Sequence, residues 1–327
     1  MQAVVIEKSG GPEVLKVMNR QVPEPGRGEV RVDVKCTAVN RADLIQRQGF
    51  YPAPPGAPQD IPGLEYAGVV AEVGCSVQDL KVGDRVFGLT AGGSYAESVV
   101  VHSGTVAPIP DRLTFEEAAA IPEAYTTAYD AMVCQGGLSA GESVLIHAVG
   151  SGVGTAALQI ADAIGANAVG TTRNEEKLRQ ARELGLNCGV VAKEGRFAEA
   201  VLEHFPHGVN VVLELVGGDY VSEDLYCIAI RGRIILVGLL AGRSVDLDLG
   251  KVLRKRACIQ GTTLRARPLE EKILAGKVLA ENIVPLLESG KLRPSIDQVF
   301  PLKDAAEAHR YLESNESFGK VILKVGE

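Results

Sequence analysis

No Cys-x-x-Cys pair occurs among the six cysteines of this chain, no apolar run reaches membrane-spanning length, and no basic arm, internal repeat or low-complexity tract interrupts it. Each absence narrows the field. Cys36, Cys75, Cys134, Cys188, Cys227 and Cys258 are scattered singly, most of them inside apolar strand or helix patterns. Buried reduced thiols are therefore expected in place of a disulfide scaffold or paired redox centre. A bilayer-spanning helix needs about twenty apolar residues in succession, so no membrane association is expected. The formal net charge of −7 offers no electrostatic footprint for a nucleic-acid partner. The one short basic run, Lys251 with Arg254, Lys255 and Arg256, reads as a solvated loop. His204 and His207 are separated by Pro206, which predicts a surface turn in place of a metal site. Residues 1–8 lack the basic flank and apolar core of a signal peptide. A cytoplasmic globular protein is expected, and 327 residues suggest about two domains.

What the chain does have is Ser143-Val144-Leu145-Ile146-His147-Ala148-Val149-Gly150-Ser151-Gly152-Val153-Gly154, followed by an amphipathic stretch at 155–164. An apolar strand enters a tight glycine turn and leaves as a helix. Backbone N–H groups and a helix N-terminus can hold a pyrophosphate in that geometry. Stepping back from Gly154 by threes gives Ser151 and Ala148, so the spelling is A-x-x-S-x-x-G with Gly150 and Gly152 beside the expected positions. Ser151, Gly152, Val153 and Gly154 are the residues expected to line the phosphates. His147, just before the turn, invites a catalytic role, against which stands the favoured reading, a histidine anchored in the core.

Residues up to about 121 read as short strands separated by turns. Val30, Val32, Val34 and Cys36 alternate with polar neighbours, which predicts a half-buried strand, and further strands are expected at 66–74, 84–88 and 94–101. Pro52, Pro54, Pro55 and Pro58 make a rigid loop that cannot be helix or central strand. Thr114-Phe115-Glu116-Glu117 spells a capping box. Beyond it strands at 143–148, 167–171, 189–192, 210–215, 232–238 and 258–261 alternate with helices, notably 174–184 and 219–229. That order predicts a doubly wound parallel sheet with its ligand at the carboxyl edge. A long helix is expected over 270–289, then a strand at 298–300, a helix at 303–314 and a final strand at 319–325.

The end of the second strand of this α/β half carries the cofactor choice. NAD-binding sheets place an Asp or Glu there to accept hydrogen bonds from the ribose. Here the residues are Thr171-Thr172-Arg173-Asn174, with no carboxylate to repel a 2′-phosphate. Arg173 offers a fork of donors and Lys177 follows one helical turn later. Asn174 can cap the helix and reach the same group. NADPH is favoured over NADH.

Val39-Asn40-Arg41-Ala42-Asp43-Leu44-Ile45-Gln46-Arg47-Gln48-Gly49, Pro62-Gly63-Leu64-Glu65-Tyr66-Ala67-Gly68 and Ala119-Ala120-Ile121-Pro122-Glu123-Ala124 resemble the quinone oxidoreductases of the medium-chain dehydrogenase/reductase superfamily. The branch containing the tumour-suppressor-inducible quinone oxidoreductase is the most similar, through Asn40-Arg41-Ala42-Asp43-Leu44, Gln46-Arg47-Gln48-Gly49 and Ser151. The likeness extends to Glu307-Ala308-His309 and Phe318-Gly319-Lys320-Val321. It implies an α/β chain with a GroES-like, β-rich catalytic domain (residues 1–121 with 290–327) and a Rossmann nucleotide-binding domain (122–289). It also implies a homodimer joined through the nucleotide-binding sheets. Zinc-dependent members carry a Cys, a Gly-His-Glu and a second Cys where this chain has Asn40, Gly63-Leu64-Glu65 and Glu123, so no metal is expected. Related enzymes commonly have a tyrosine where Ala192 stands, and a small residue where Arg173 stands, which suggests an exchange of phosphate anchors.

The resemblance implies hydride transfer from NADPH to a small-molecule quinone, with the nicotinamide in the cleft between the domains. Asn40, Thr127 and Gly238-Leu239-Leu240 would flank it there, with Phe318 and Lys320 contributing to the cofactor site. Tyr51, beside the proline loop, is the candidate for contact with the acceptor, as wall or through its hydroxyl. Asn40 is a candidate to bond a quinone oxygen or the nicotinamide ribose. No general acid stands out. Two other readings stay open: reduction of a conjugated carbonyl (an alkenal or enone double bond), and a redox-poor NADPH-binding sensor or crystallin-like protein.

Overall fold

A computed structural model describes residues 1–326. In chain order the first part forms β1 (Gln2–Ile6), β2 (Leu15–Asn19), β3 (Glu29–Val39), α1 (Arg41–Arg47), β4 (Glu65–Val73), β5 (Arg85–Leu89), β6 (Ser98–His102), β7 (Val106–Pro108), α2 (Phe115–Ala119) and α3 (Pro122–Tyr129). The middle alternates: β8 (Ser143–Ile146), α4 (Gly152–Ile164), β9 (Asn167–Thr172), α5 (Glu175–Glu183), β10 (Cys188–Val191), α6 (Ala198–His204), β11 (Val209–Glu214), α7 (Tyr220–Cys227), β12 (Ile228–Leu236), α8 (Leu249–Lys255) and β13 (Cys258–Gly261). The return comprises α9 (Leu269–Val278), α10 (Val284–Glu288), β14 (Ile296–Pro301), α11 (Ala305–Glu313) and β15 (Lys320–Lys324).

Among the described residues these elements group into two units. The first holds Met1–Thr126, Leu264–Gly290 and the chain from Pro294 onward, and the second holds Thr127–Thr263 with Lys291–Arg293. In the first, a largely antiparallel sheet runs β14-β15-β3-β4-β5-β7, with β6 also paired to β3. Val30, Val32, Val34 and Cys36 are all buried, as their alternation predicts. The Thr114 hydroxyl accepts from the Glu117 N–H and the Glu117 carboxylate accepts from the Thr114 N–H, so the capping box forms as spelled.

In the second unit six parallel strands run β10-β9-β8-β11-β12-β13. The order reverses at β8, and the crevice outside the carboxyl ends at such a switch point is where open α/β sheets take ligands. The glycine turn leaves β8 at that place.

The differences from the sequence reading have physical causes. The 264–290 stretch belongs with the first unit because α9 lies against the turn at Ser103–Thr105: a Cβ on Gly276 would meet the Gly104 carbonyl at 2.5 Å. The 270–289 helix is interrupted by a π turn at Leu279–Ile283. β12 begins at Ile228, so α7 is shorter than its pattern suggests. The basic run 251–256 lies mostly on helix α8, capped by the Asp248 side chain. Cys36 and Cys227 are buried, but Cys75, Cys134 and Cys258 are exposed, lying in a turn, at the end of a π turn and on an edge strand. No helix among the described residues is long and apolar enough to cross a membrane.

Candidate active site

The glycine turn is tight because Ala148 takes a left-handed φ of 45° and the Ser151 N–H closes onto the Ala148 carbonyl at 2.8 Å. Ser151 is the N-cap of α4, its hydroxyl accepting from the Gly154 N–H at 3.0 Å. At Gly154 a Cβ would meet the Ala148 carbonyl at 2.4 Å and the Val149 Cα at 2.7 Å. Only glycine lets helix and strand approach this closely. Ser151, Gly152, Val153 and Gly154 are thus brought together at the N-terminus of a thirteen-residue helix, whose first N–H groups and dipole favour an anion.

At the end of β9, Arg173 is exposed and, among the described residues, has no hydrogen-bond or ion-pair partner. Asn174 caps α5 by accepting from the Glu176 N–H at 2.8 Å, which leaves its amide N–H₂ available. Lys177 is half-buried on the first turn of α5. The acidic neighbours there are neutralised, Glu176 by Arg179 and Glu175 by Arg182. Ala192 is buried at the end of β10. Thr127 is buried on α3, whereas Leu239 and Leu240 are half exposed, in a loop beyond the end of β12.

In the first unit a polar cluster forms that the sequence did not disclose. The Lys320 ammonium, 5% exposed, donates to the Asn40 side-chain oxygen Oδ1 at 2.6 Å and to the fully buried Glu65 carboxylate at 2.7 Å. The Asn40 amide nitrogen donates to the same Glu65 oxygen at 2.8 Å, and the Glu123 backbone N–H donates to the other at 2.7 Å. Asn40 and Lys320, expected as cofactor ligands, therefore direct these polar groups at each other and at Glu65. Phe318 is half-buried two residues before Lys320. Zinc does not fit this set: Leu64 has no ligand atom, Asn40 is already bonded, and an ammonium neutralises Glu65.

The cluster is held from behind by a chain of donors running one way. Arg47 faces His309 Nδ1 at 3.3 Å, His309 Nε2 faces the Tyr95 hydroxyl at 3.2 Å, and that hydroxyl donates to Asp43 at 3.4 Å. Asp43 in turn accepts the N–H groups of Asn40 and Gly63. Burial pushes the Asp43 carboxyl up to about 6 although those N–H groups favour its charge. Burial, with Arg47 adding to it, holds His309 neutral, down at about 3.

Tyr51 is paired with a residue that sequence reasoning missed. Arg265, 6% exposed, lies 5.1 Å from the Tyr51 ring centroid. It also donates to the Tyr51 carbonyl at 3.2 Å, the Ala91 carbonyl at 2.8 Å and the Gln46 side chain at 2.6 Å. The proline loop is further tied by Gln59, which donates to the carbonyls of Pro54 and Ala57.

His147 is fully buried in the second unit, with Nδ1 at 2.7 Å from the Thr171 hydroxyl and Nε2 at 2.7 Å from Asp224. Glu214 completes a buried trio, with one oxygen accepting the N–H groups of Val216 and Gly217. The histidine is anchored in the core at the ends of β8 and β9, both ring nitrogens engaged. Its two acidic partners lie far away in sequence.

A family model described as "Alcohol dehydrogenase GroES-like domain" matches residues 26–111, and one described as "Zinc-binding dehydrogenase" matches residues 152–277. Quinone oxidoreductase of Lama guanicoe is 35% identical over 99% of this chain and 97% of its own length. The synaptic vesicle membrane protein VAT-1 homolog of Rattus norvegicus is 31% identical over 100% of this chain and 84% of its own. The solved Escherichia coli quinone oxidoreductase complexed with NADPH superposes with a TM-score of 0.89 at 30% identity, covering 99% of this chain and 100% of that one. Fold and site together define a medium-chain dehydrogenase/reductase. The chain belongs to the quinone oxidoreductase family of that superfamily, and is an oxidoreductase.

Proposed function

We propose that the protein reduces quinones with NADPH and without a metal. The observation that carries this reading is the Asn40–Lys320–Glu65 cluster. Where the resemblance implies that zinc-dependent members keep their ligands, this chain has a buried ammonium, and the acceptor it reduces must need no Lewis acid. Quinones meet that requirement, since they take up hydride readily and spread the resulting charge over their oxygens. The nicotinamide cofactor, when bound, supplies the hydride.

The chain's own residues bind and orient. The Ser151–Gly154 turn suits the pyrophosphate, and Arg173 with the free amide of Asn174 and Lys177 suits the 2′-phosphate. The Tyr51 ring, held by Arg265, offers a flat wall to a planar acceptor. The solved relatives include an NAD-dependent alcohol dehydrogenase as well as NADPH complexes, so the choice of cofactor rests on Arg173 itself. Arg173→Ala tests it. NADPH binding is expected to weaken by about 1.5–3 kcal/mol, the range for a hydrogen bond to a charged group, with NADH binding unchanged. Equal losses for both cofactors would show that Arg173 does not read the phosphate. We further infer a homodimer, because β13 lies at an edge of its sheet and offers unpaired backbone groups to a second copy.

A further inference from the structure

A cavity of about 30 Å³ in the first unit is lined by Thr90, Glu123, Arg265 and Lys272 against Leu89 and Ala275. It has room for about one water molecule. Its polar groups are unequal. The Thr90 hydroxyl donates to the Gly92 carbonyl and Arg265 is engaged by Gln46, Ala91 and Tyr51. The Thr105 hydroxyl, also in the lining, donates to the His102 carbonyl, which leaves the Glu123 carboxyl, on the first turn of α3, and the Lys272 ammonium, on α9. Neither side chain has a hydrogen-bond or ion-pair partner among the described residues. A cation and an acid group facing a space the size of one oxygen atom make a site for an oxygen on which negative charge develops.

We propose that this cavity receives the carbonyl oxygen of the acceptor, with Glu123 as the acid that protonates it and Lys272 as the cation that stabilises charge on it. The proposal rests on the reductase reading above and supplies the general acid that the sequence did not reveal. A bound reduced nicotinamide cofactor would supply the hydride to the conjugated acceptor, whose displaced π electron pair would then lie on oxygen. The Glu123 O–H bond then breaks as the proton moves to that oxygen. Glu123 is left as a carboxylate and is reprotonated by water, so one hydride and one proton are delivered per turnover.

The surroundings keep Glu123 in the acid form at neutral pH. Burial, then the carboxylate of Glu65 on β4 and that of Asp43 on α1, push it up to about 8. Lys320 on β15 and Arg265 pull the other way without overcoming them. Lys272 is itself pushed down by burial and by Arg265, which sharpens its preference for an anionic partner.

The experiment combines kinetics with a readout free of turnover. In the wild-type protein kcat for a simple ortho-quinone should fall as pH rises through about 8. Glu123→Gln should lower kcat about 100-fold and abolish that alkaline limb. Lys272→Met should lower kcat/KM, and Lys272→Arg should restore most of it. The infrared spectrum of the wild type minus that of Glu123→Gln, which cancels the buried carboxyls of the second unit, should show one protonated carboxyl band that titrates near pH 8. A Glu123→Gln protein with wild-type kcat and pH profile, or a Glu123 carboxyl already ionised at neutral pH, overturns the role of Glu123 alone. A wild-type protein that reduces neither quinones nor conjugated carbonyls overturns the reductase reading, and this role with it.

Discussion

Lys320→Met keeps most of the buried aliphatic stem and removes only the ammonium, leaving Glu65 with no counter-charge in a site closed to solvent. Breaking a buried ion pair from one side costs about 3–5 kcal/mol, because the remaining charge stays desolvated. Glu65 still accepts from the Asn40 amide and the Glu123 N–H, which places the expected loss near the lower end, about 3 kcal/mol. At roughly 2–4 °C per kcal/mol for a unit of this size, the melting temperature should fall by about 6–12 °C. Urea unfolding at constant m-value provides the free energy independently. The double variant Lys320→Met/Glu65→Gln should recover more than half of the loss, since the orphaned charge is then gone. A single-variant loss below about 1 kcal/mol, the range of exposed pairs, would refute the idea that this ammonium is the charge organising the site. So would recovery of the single variant by added zinc.

Two further outcomes follow from named contacts. If the ring of Tyr51 aligns a flat acceptor, Tyr51→Phe retains most of kcat/KM for an ortho-quinone while Tyr51→Ala loses about tenfold or more, as misplacement in a positioning site does; equal damage in both would assign the work to the hydroxyl. In the buried trio, burial holds Glu214 up at about 7 and Asp224 at about 8, and lowers His147 to about 4. Carboxyls raised above their unfolded values stabilise the fold at low pH and lose that contribution as pH rises, while His147 opposes them only below about 6.5. The melting temperature should therefore fall by several degrees between about pH 6.5 and 8, and Asp224→Asn should flatten that slope; a wild-type melting temperature that is constant across this interval would contradict the assignment.

Local chemistry was legible in the sequence wherever neighbours along the chain determine it. The glycine turn, the capping box at Thr114 and the alternation of β3 are all set within a few residues, and each forms as spelled. The parallel sheet was readable for the same reason, since each β–α repeat announces itself. What could not be read is the joining of Asn40, Glu65 and Lys320, because they come from the β3–α1 junction, β4 and β15 and only strand pairing brings them together. Glu65 carried a faint signal, a lone carboxylate in the apolar run Leu64-Glu65-Tyr66-Ala67. Arg265 carried none, since nothing near it along the chain reveals that its partners are Gln46, Tyr51 and Ala91. Cys258 was misread because apolar pattern does not distinguish a central strand from an edge strand such as β13.

The most direct test of the account is NADPH oxidation by the purified protein with an ortho-quinone, followed before and after exhaustive chelation, with metal content measured on the same sample. The account predicts turnover that survives chelation in protein carrying no stoichiometric zinc. Turnover that disappears on chelation and returns with zinc, or no NADPH oxidation with any quinone, would contradict it.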